Sequence, residues 1–297
     1  MEIGLIISLI FVIICPFAYA FTNIFDKYIV SYRVKKPLGM SAISFIPLFF
    51  MGLVMILFSN WSNISLNAMI IPLLGGIFVG AQYYSYFFLI KHEDASNLSG
   101  IVYFYPVIVA ILSFFILGER LALIGYLGLA LIIFGVVKLS YKTSASKSFT
   151  GFLIIAVNIL LIALYEFSAK LTTSELPLLN GLGLITLISS LVIFAGLAFK
   201  KVRVDFISEL KNVKWGIASE LFTLIATFTL FLALTNLSAT VVSAIASIQP
   251  MIVLFYEKIA ERKLKKISHH DGIRTKIFYI LSIILGVAVL YIQEIFK

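Results

Sequence analysis

Long stretches without a charged residue are the feature of this sequence that most constrains its fold. Residues 3–25 and residues 37–90 contain no Asp, Glu, Lys or Arg. About 20 apolar residues suffice for a helix to cross the roughly 30 Å hydrocarbon core of a bilayer. Hydrophobic residues make up 61% of the chain and charged residues only 12%, whereas a soluble chain has roughly 45–50% and about 25%. The chain is therefore predicted to be an integral membrane protein.

Polar turns divide these stretches into ten predicted transmembrane helices. The turn at 60–67 splits the second stretch, and the turn at 235–239 splits residues 215–256, whose one charged residue is Glu220. Transmembrane strands are not predicted, because the runs lack the alternating pattern of a membrane barrel. The predicted helices cover residues 3–25, 37–59, 68–90, 95–118 and 121–137, a sixth that starts with 148–165 and continues through Glu166, and then 176–199, 215–234, 240–256 and 277–293.

The net charge of +9 is explained by topology rather than by nucleic-acid binding, because Lys and Arg collect in cytoplasmic loops of membrane proteins. The odd-numbered loops carry nearly all of them. We therefore expect a multi-pass protein of the plasma membrane, with the odd-numbered loops in the cytoplasm and both termini outside. The basic residues of these loops are Lys91 and those within 33–36, 138–147, 200–214 and 258–276.

The two halves of the chain carry matching residues. Because each half holds five predicted helices, an odd number, the second half is predicted to be inverted in the membrane relative to the first. We expect two five-helix repeats, at 1–142 and 148–297, the architecture of many secondary transporters. At an offset of 144 the matches are Ala95 with Ala239, Ser99 with Ser243, Tyr103 with Ser247 and Pro106 with Pro250, and "AFTNIFDK" (20–27) matches "ALYEFSAK" (163–170) at 143.

The stretch from 87 to 137 resembles the EamA-type domain of the drug/metabolite transporter superfamily. It carries Ala-Ser after a polar turn, small residues, a proline, an apolar run, Gly-Glu-Arg-Leu and a glycine-rich last helix. Residues 230–263 resemble it too, but Glu261 follows its proline by 11 residues and Glu119 by 13. The resemblance implies ten helices and a central cavity walled by helices 1, 3, 4, 6, 8 and 9. It leaves helices 5 and 10 at the edge, where a homodimer would form.

Pro106 and Pro250 are predicted hinges beside the cavity, because each removes a helical hydrogen bond at membrane depth. A static kink is the alternative. Ser99 and Tyr103 share a helix face with Pro106, and Ser243 and Ser247 repeat that geometry beside Pro250. This face is interpreted as cavity lining, with a packing seam of small residues as the alternative.

Helix 3 contributes Gln82, Tyr83 and Tyr86. A buried amide needs a partner in lipid, so we expect Gln82 to point inward. The two tyrosines could contact a substrate or form part of an interfacial aromatic belt.

Ionisable side chains inside predicted helices are functional hypotheses by default. Glu220, with Thr223 on the same face, is a candidate substrate-binding or proton-binding group, or else it reaches the interface. Glu166 has Lys170 four residues later, in the order that favours an ion pair. Lys170 matches Lys27, which could also extend its amine to the interface. Asn23, in the repeated segment, completes the candidate set.

The sequence thus predicts a secondary transporter that exports small polar metabolites such as amino acids by alternating access. The alternative substrate class is sugar phosphates or nucleotide sugars, for which only Lys27 and Lys170 would supply positive charge in the cavity. A membrane enzyme or a non-transporting protein is the other class considered. No cofactor or metal is expected, because zinc spacings, phosphate loops and nucleophile motifs are absent. The expected partners are a small-molecule substrate and lipid, without nucleic acid.

Overall fold

The computed structural model describes residues 3–62, 64–117, 122–141, 148–237, 242, 245–261 and 273–295, and their regular structure is helical. Of the predicted site residues, Ser243 lies outside the described residues. The α-helices are α1 (Ile3–Tyr28), α2 (Pro37–Phe58), α3 (Ile70–His92), α4 (Ala95–Val102), α5 (Tyr105–Leu117), α6 (Leu123–Ser140), α7 (Phe149–Glu175), α8 (Leu178–Ala195), α9 (Lys200–Glu209), α10 (Val213–Asn236), α11 (Gln249–Glu261) and α12 (Ile273–Ile295).

The apolar runs form long helices, as their composition predicts. Seven helical segments of the described residues are long and apolar enough to cross a membrane, and a shorter apolar helix covers Leu123–Leu139. Ten spans therefore stay a prediction for the whole chain. The seven segments are Ile7–Arg33, Pro37–Phe58, Asn67–His92, Ala95–Ile116, Phe149–Glu175, Leu178–Ala198 and Lys200–Asn236.

The basic segment at 200–214, expected as a loop, is mostly helical because α9 docks on the connection between α1 and α2. Glu209 accepts hydrogen bonds from the backbone N–H groups of Lys35 and Lys36 at 2.9 and 3.0 Å. Asn212 donates to the carbonyl of Arg33 at 3.1 Å. Buried backbone groups need such partners, so these bonds fix α9 against one end of the bundle.

The helix that contains Pro106 is broken at residues 103–104, and α5 restarts with the proline as its second residue. Two short-range backbone hydrogen bonds form the break, from Phe104 to Ile101 and from Val107 to Phe104. The same two bonds recur 144 residues later, from Ile248 to Ile245 and from Met251 to Ile248, just before α11. Proline is tolerated in the first turn of a helix, where its missing N–H costs no bond. Both prolines therefore interrupt a membrane helix in the same way.

Helices α2 and α8 pack closely through glycines. A Cβ on Gly52 would lie 2.8 Å from the backbone nitrogen of Leu187, and a Cβ on Gly183 would lie 3.0 Å from the Cβ of Met55. Residue numbers rise along α2 as they fall along α8 at these contacts, so the two helices are antiparallel.

Helices α6 and α12, the predicted fifth and tenth spans, are also antiparallel and in close contact. A Cβ on Gly135 would lie 2.6 Å from Cγ1 of Ile283, and a Cβ on Gly286 would lie 2.6 Å from the carbonyl oxygen of Gly128. Small residues allow such close approach in membranes. These glycine faces are thus used within one chain, and a homodimer through the outer faces of α6 and α12 stays a prediction.

Candidate functional site

A cavity of about 190 Å³ lies among the helices, and its wall is mostly apolar with polar groups set into it. Residues of α1, α2, α3, α4, α7, α8 and α10 line it. Tyr105 at the start of α5, Ala246 just before α11 and Gln249 at the start of α11 also line it. The resemblance implied most of these walls. It did not imply α2 and α8, which are the predicted second and seventh spans. Neither α6 nor α12 contributes a lining residue among those described.

Many of the residues that the sequence singles out are brought together in this wall. Gln82 points inward and is nearly fully buried. Tyr83 and Tyr86 line the cavity rather than forming a belt of interfacial aromatics, and Tyr83 packs edge-on against Phe45 with ring centroids 4.6 Å apart. Contact of these side chains with a substrate stays a prediction. The predicted residues that line the cavity are Asn23, Gln82, Tyr83, Tyr86, Ser99, Tyr103, Glu166 and Thr223.

The residues beside the prolines are only partly in the wall. Ser99 and Tyr103 line the cavity, whereas Ser247, expected to repeat Tyr103, is fully buried outside its lining. Tyr103 instead donates from its hydroxyl to the carbonyl of Ala246 and lies 3.1 Å from Oε1 of Gln249. Pro106 and Pro250 do not line the cavity, although the breaks they adjoin are next to it.

Asp26 is a cavity residue that the sequence reasoning did not select. Its Oδ1 accepts a hydrogen bond from Ser219 at 2.5 Å, and its Oδ2 accepts one from the Tyr86 hydroxyl at 2.9 Å. The Tyr86 hydroxyl also lies 3.2 Å from Oδ1 of Asn23. The signal for it in the sequence is that Asp26 directly follows the uncharged residues 3–25 of the first predicted helix. Asp26 and the adjacent Lys27 take different partners, because adjacent residues on a helix point in different directions.

Glu220 is fully buried and does not line the cavity. The hydroxyls of Thr223 and Ser44 are its neighbouring polar groups. Neither carboxyl oxygen has a hydrogen-bond partner among the described residues, and the same is true of those two hydroxyls. Buried polar groups without partners are uncommon and call for an explanation, such as a catalytic or ion-handling role. Direct contact of Glu220 with a substrate is not supported in this conformation.

Lys27 and Lys170 hold helix ends and do not line the cavity, which corrects their assignment to the site. Lys27 donates to the carbonyls of Ile90 and Glu93 at 3.0 and 2.6 Å, at the end of α3. Lys170 donates to the carbonyls of Leu234 and Leu237 at 3.1 and 3.2 Å, at the end of α10. The last carbonyls of a helix lack intrahelical partners and carry partial negative charge, so a cation stabilises them.

Glu166 does not form the expected ion pair with Lys170 in the part of the chain that the structure describes. Lys170 points instead to α10, and Glu166 is half-buried in the cavity wall. Because the lysine is drawn to unsatisfied carbonyls of another helix, the local i, i+4 spacing does not decide its partner.

Comparisons with known proteins agree with this helical membrane architecture. Residues 6–141 match the model of the EamA-like transporter family. A solved structure with the uninformative title "Crystal structure of protein" is similar over 97% of both chains, with a TM-score of 0.61 and 16% identity, which shows likeness of fold alone. A search among curated proteins found no match. Residues 6–141 are thus similar to the EamA-like transporter family of the drug/metabolite transporter superfamily.

Proposed function

We propose that the protein is a secondary transporter that exports small polar organic metabolites, such as amino acids, by alternating access. The observation that carries the proposal is the cavity itself, which is lined by amides, hydroxyls and carboxyls inside a bundle of apolar helices. Polar groups in lipid are costly and are kept where they line a substrate pathway. The EamA-like match supports the transporter class.

Alternating access needs two bodies that can rock around one site, and we propose that two inverted halves of the chain are these bodies. Helices α2 and α8 occupy corresponding places in the two halves and run antiparallel, as do α6 and α12. The backbone bonds at the two proline breaks recur at an offset of 144. The lysine contacts at the ends of α3 and α10 recur at 143–144. An inverted repeat with its site at the interface of the halves is typical of secondary transporters.

In this mechanism the breaks near Pro106 and Pro250 act as hinges, and Glu220 is the coupling carboxylate. Glu220 is suited to coupling because it is buried beside hydroxyls without being tied to any of them by a hydrogen bond. Binding and release of a proton there would change the charge of the bundle next to Asp26. Such a change would alter the balance between the inward-open and outward-open states.

Transport by purified protein in liposomes tests the proposal. We expect uptake of labelled amino acids above that of empty liposomes. Ser99→Trp, which fills the cavity, should abolish uptake, while Ser174→Trp, at the exposed end of α7, should not. If folded and inserted protein moved no solute, or if Ser99→Trp had no effect, the proposed function would be wrong.

Sugar phosphates and nucleotide sugars are the less favoured substrates. A phosphate needs fixed positive charge, and the two lysines that could have supplied it bind helix carbonyls instead. If the protein did not transport a solute, the polar groups in the cavity wall would have no evident role.

A further inference from the structure

The cavity wall carries two carboxyl groups and no basic side chain among the described residues. Asp26 and Glu166 line it, and no Lys, Arg or His does. An anionic ligand entering this space would meet two carboxyl groups and no cation. Because charges interact more strongly in a low-dielectric interior than in water, this asymmetry favours a cationic ligand.

Glu166 is the carboxyl group with capacity for a ligand. Asp26 already accepts hydrogen bonds from Ser219 and Tyr86. Glu166 receives no hydrogen bond and no charge partner from the described residues, because Lys170 is engaged at the end of α10. A buried carboxylate needs a cation or donors to offset its desolvation.

Two hydroxyls in the same wall also lack partners. Ser99 and Thr223 are 4% and 5% exposed, both line the cavity, and neither hydroxyl has a hydrogen-bond partner among the described residues. Such groups are ordinarily satisfied. Both hydroxyls lie in the cavity wall, where a bound molecule could supply donors or acceptors to them.

Tyrosine rings form part of the same wall. The hydroxyl of Tyr19 is 3.0 Å from that of Thr227. The hydroxyl of Tyr103 donates a hydrogen bond to the carbonyl of Ala246, just before α11. With these hydroxyls engaged, Tyr19 and Tyr103 can offer ring surface to a ligand, as can the buried Tyr165. Aromatic faces attract a cation within about 6 Å of the ring.

We propose that the cavity binds a protonated organic amine, with its ammonium group on Glu166 and its apolar body among Tyr19, Tyr103 and Tyr165. The inference rests on the proposed transport function and narrows its substrate class. Amines without a carboxylate are preferred over amino acids, because the described wall has no cation to pair with the carboxylate of a zwitterion.

Three compounds that share a phenyl group separate the possibilities: phenethylamine, phenylalanine and phenylacetate. We expect purified protein to bind phenethylamine at least tenfold more tightly than the other two. Glu166→Gln should weaken phenethylamine binding at least tenfold, whereas Glu175→Gln, at the exposed end of the same helix, should not. The inference is overturned if phenylalanine or phenylacetate binds as well as the amine, or if the two variants bind the amine equally.

Cys15 provides a readout that does not depend on a Glu166 variant. It is the chain's only cysteine and lines the same cavity, within electrostatic range of Glu166. A cationic thiosulfonate should label it at least tenfold faster than an anionic one of similar size, after each rate is divided by that for a free thiol. Phenethylamine should slow the cationic reaction. Equal rates, or faster anionic labelling, would contradict the inference.

Transport in liposomes distinguishes the failure of this inference from failure of the transport function. If phenylalanine moves and phenethylamine neither binds nor moves, the transport function stands and the amine preference is wrong. If folded protein moves none of the three compounds, both proposals fail.

Discussion

Lys27 and Lys170 each place an ammonium group on the last carbonyls of a neighbouring helix. The carbonyl acceptors are Ile90 and Glu93 for the first, and Leu234 and Leu237 for the second. At membrane depth a carbonyl without a partner costs several kcal/mol. These lysines therefore stabilise the bundle. Their positive charge lies at the helix ends and not in the cavity lining.

Replacing Lys170 with Met should destabilise the protein, because two carbonyls at the end of α10 lose their donor. We expect a loss of about 2 kcal/mol, the typical value of a hydrogen bond to a charged group, seen as a lower unfolding temperature in detergent. Lys211→Met, at an exposed site, serves as the control. Glu166→Gln should leave the unfolding temperature unchanged. A large drop for Glu166→Gln would indicate that Lys170 depends on Glu166 after all.

Replacing Glu220 with Gln should abolish transport or uncouple it from the proton gradient, while membrane insertion is retained. Glutamine keeps the size of the side chain but cannot exchange a proton. Transport by reconstituted protein with and without a pH gradient measures the effect, and we expect a fall of at least tenfold. Glu175→Gln is the matched control. Unchanged transport with unchanged pH dependence would reduce Glu220 to a structural residue.

At the scale of the elements, the two proline breaks are the places where a membrane helix is already interrupted. Tyr103 lies at the first break, and its hydroxyl bonds to Ala246 near the second. The two breaks are thus linked across the bundle. Hinges are commonly a few residues at element ends that absorb backbone rotation, and these segments fit that description.

Replacing Pro106 with Ala should restore a backbone donor and favour a continuous helix through residues 102–106. If the break is a hinge, turnover should fall at least tenfold while ligand affinity changes little. Parallel measurement of ligand binding and of transport rate separates the two effects. Pro177→Ala, at an exposed site before α8, is the control. Normal turnover in Pro106→Ala would favour a static kink.

At the scale of the whole molecule, the segments expected in the cytoplasm meet at one end of the bundle. Glu209 of α9 holds the connection between α1 and α2. Lys276, at the start of α12, forms an ion pair of 2.8 Å with Asp94, before α4. The positive-inside tendency predicts that these segments face the cytoplasm.

A reporter fused to the C-terminus should therefore be outside the cell. A fluorescent protein that folds only in the cytoplasm should stay dark there, and a periplasmic-type phosphatase fusion should be active. The same reporters inserted at 143–145, in a predicted cytoplasmic loop, should give the reverse result. A bright C-terminal fluorescent fusion would overturn the orientation.

The sequence by itself determined the helical membrane class, because apolar runs of this length have few other stable environments. It also singled out Pro106 and Pro250, which adjoin the two breaks, although Pro16 and Pro47 lie inside the continuous helices α1 and α2. It selected much of the cavity wall, since polar residues on one face of a membrane helix turn away from lipid. These predictions depend on local chemistry, as Gln82, Ser99 and Pro106 illustrate.

The tertiary structure decided which partners the charged residues take. The sequence places Lys170 four residues from Glu166, but the fold brings unsatisfied carbonyls of α10 to it. Asp26 is adjacent to Lys27 in sequence, yet Ser219, 193 residues away, is its partner. Partners of ionisable groups depend on distances between helices, which helix periodicity cannot supply. The acidic cavity lining, from which we infer an amine ligand, is therefore a property of the fold and cannot be read from the residue list.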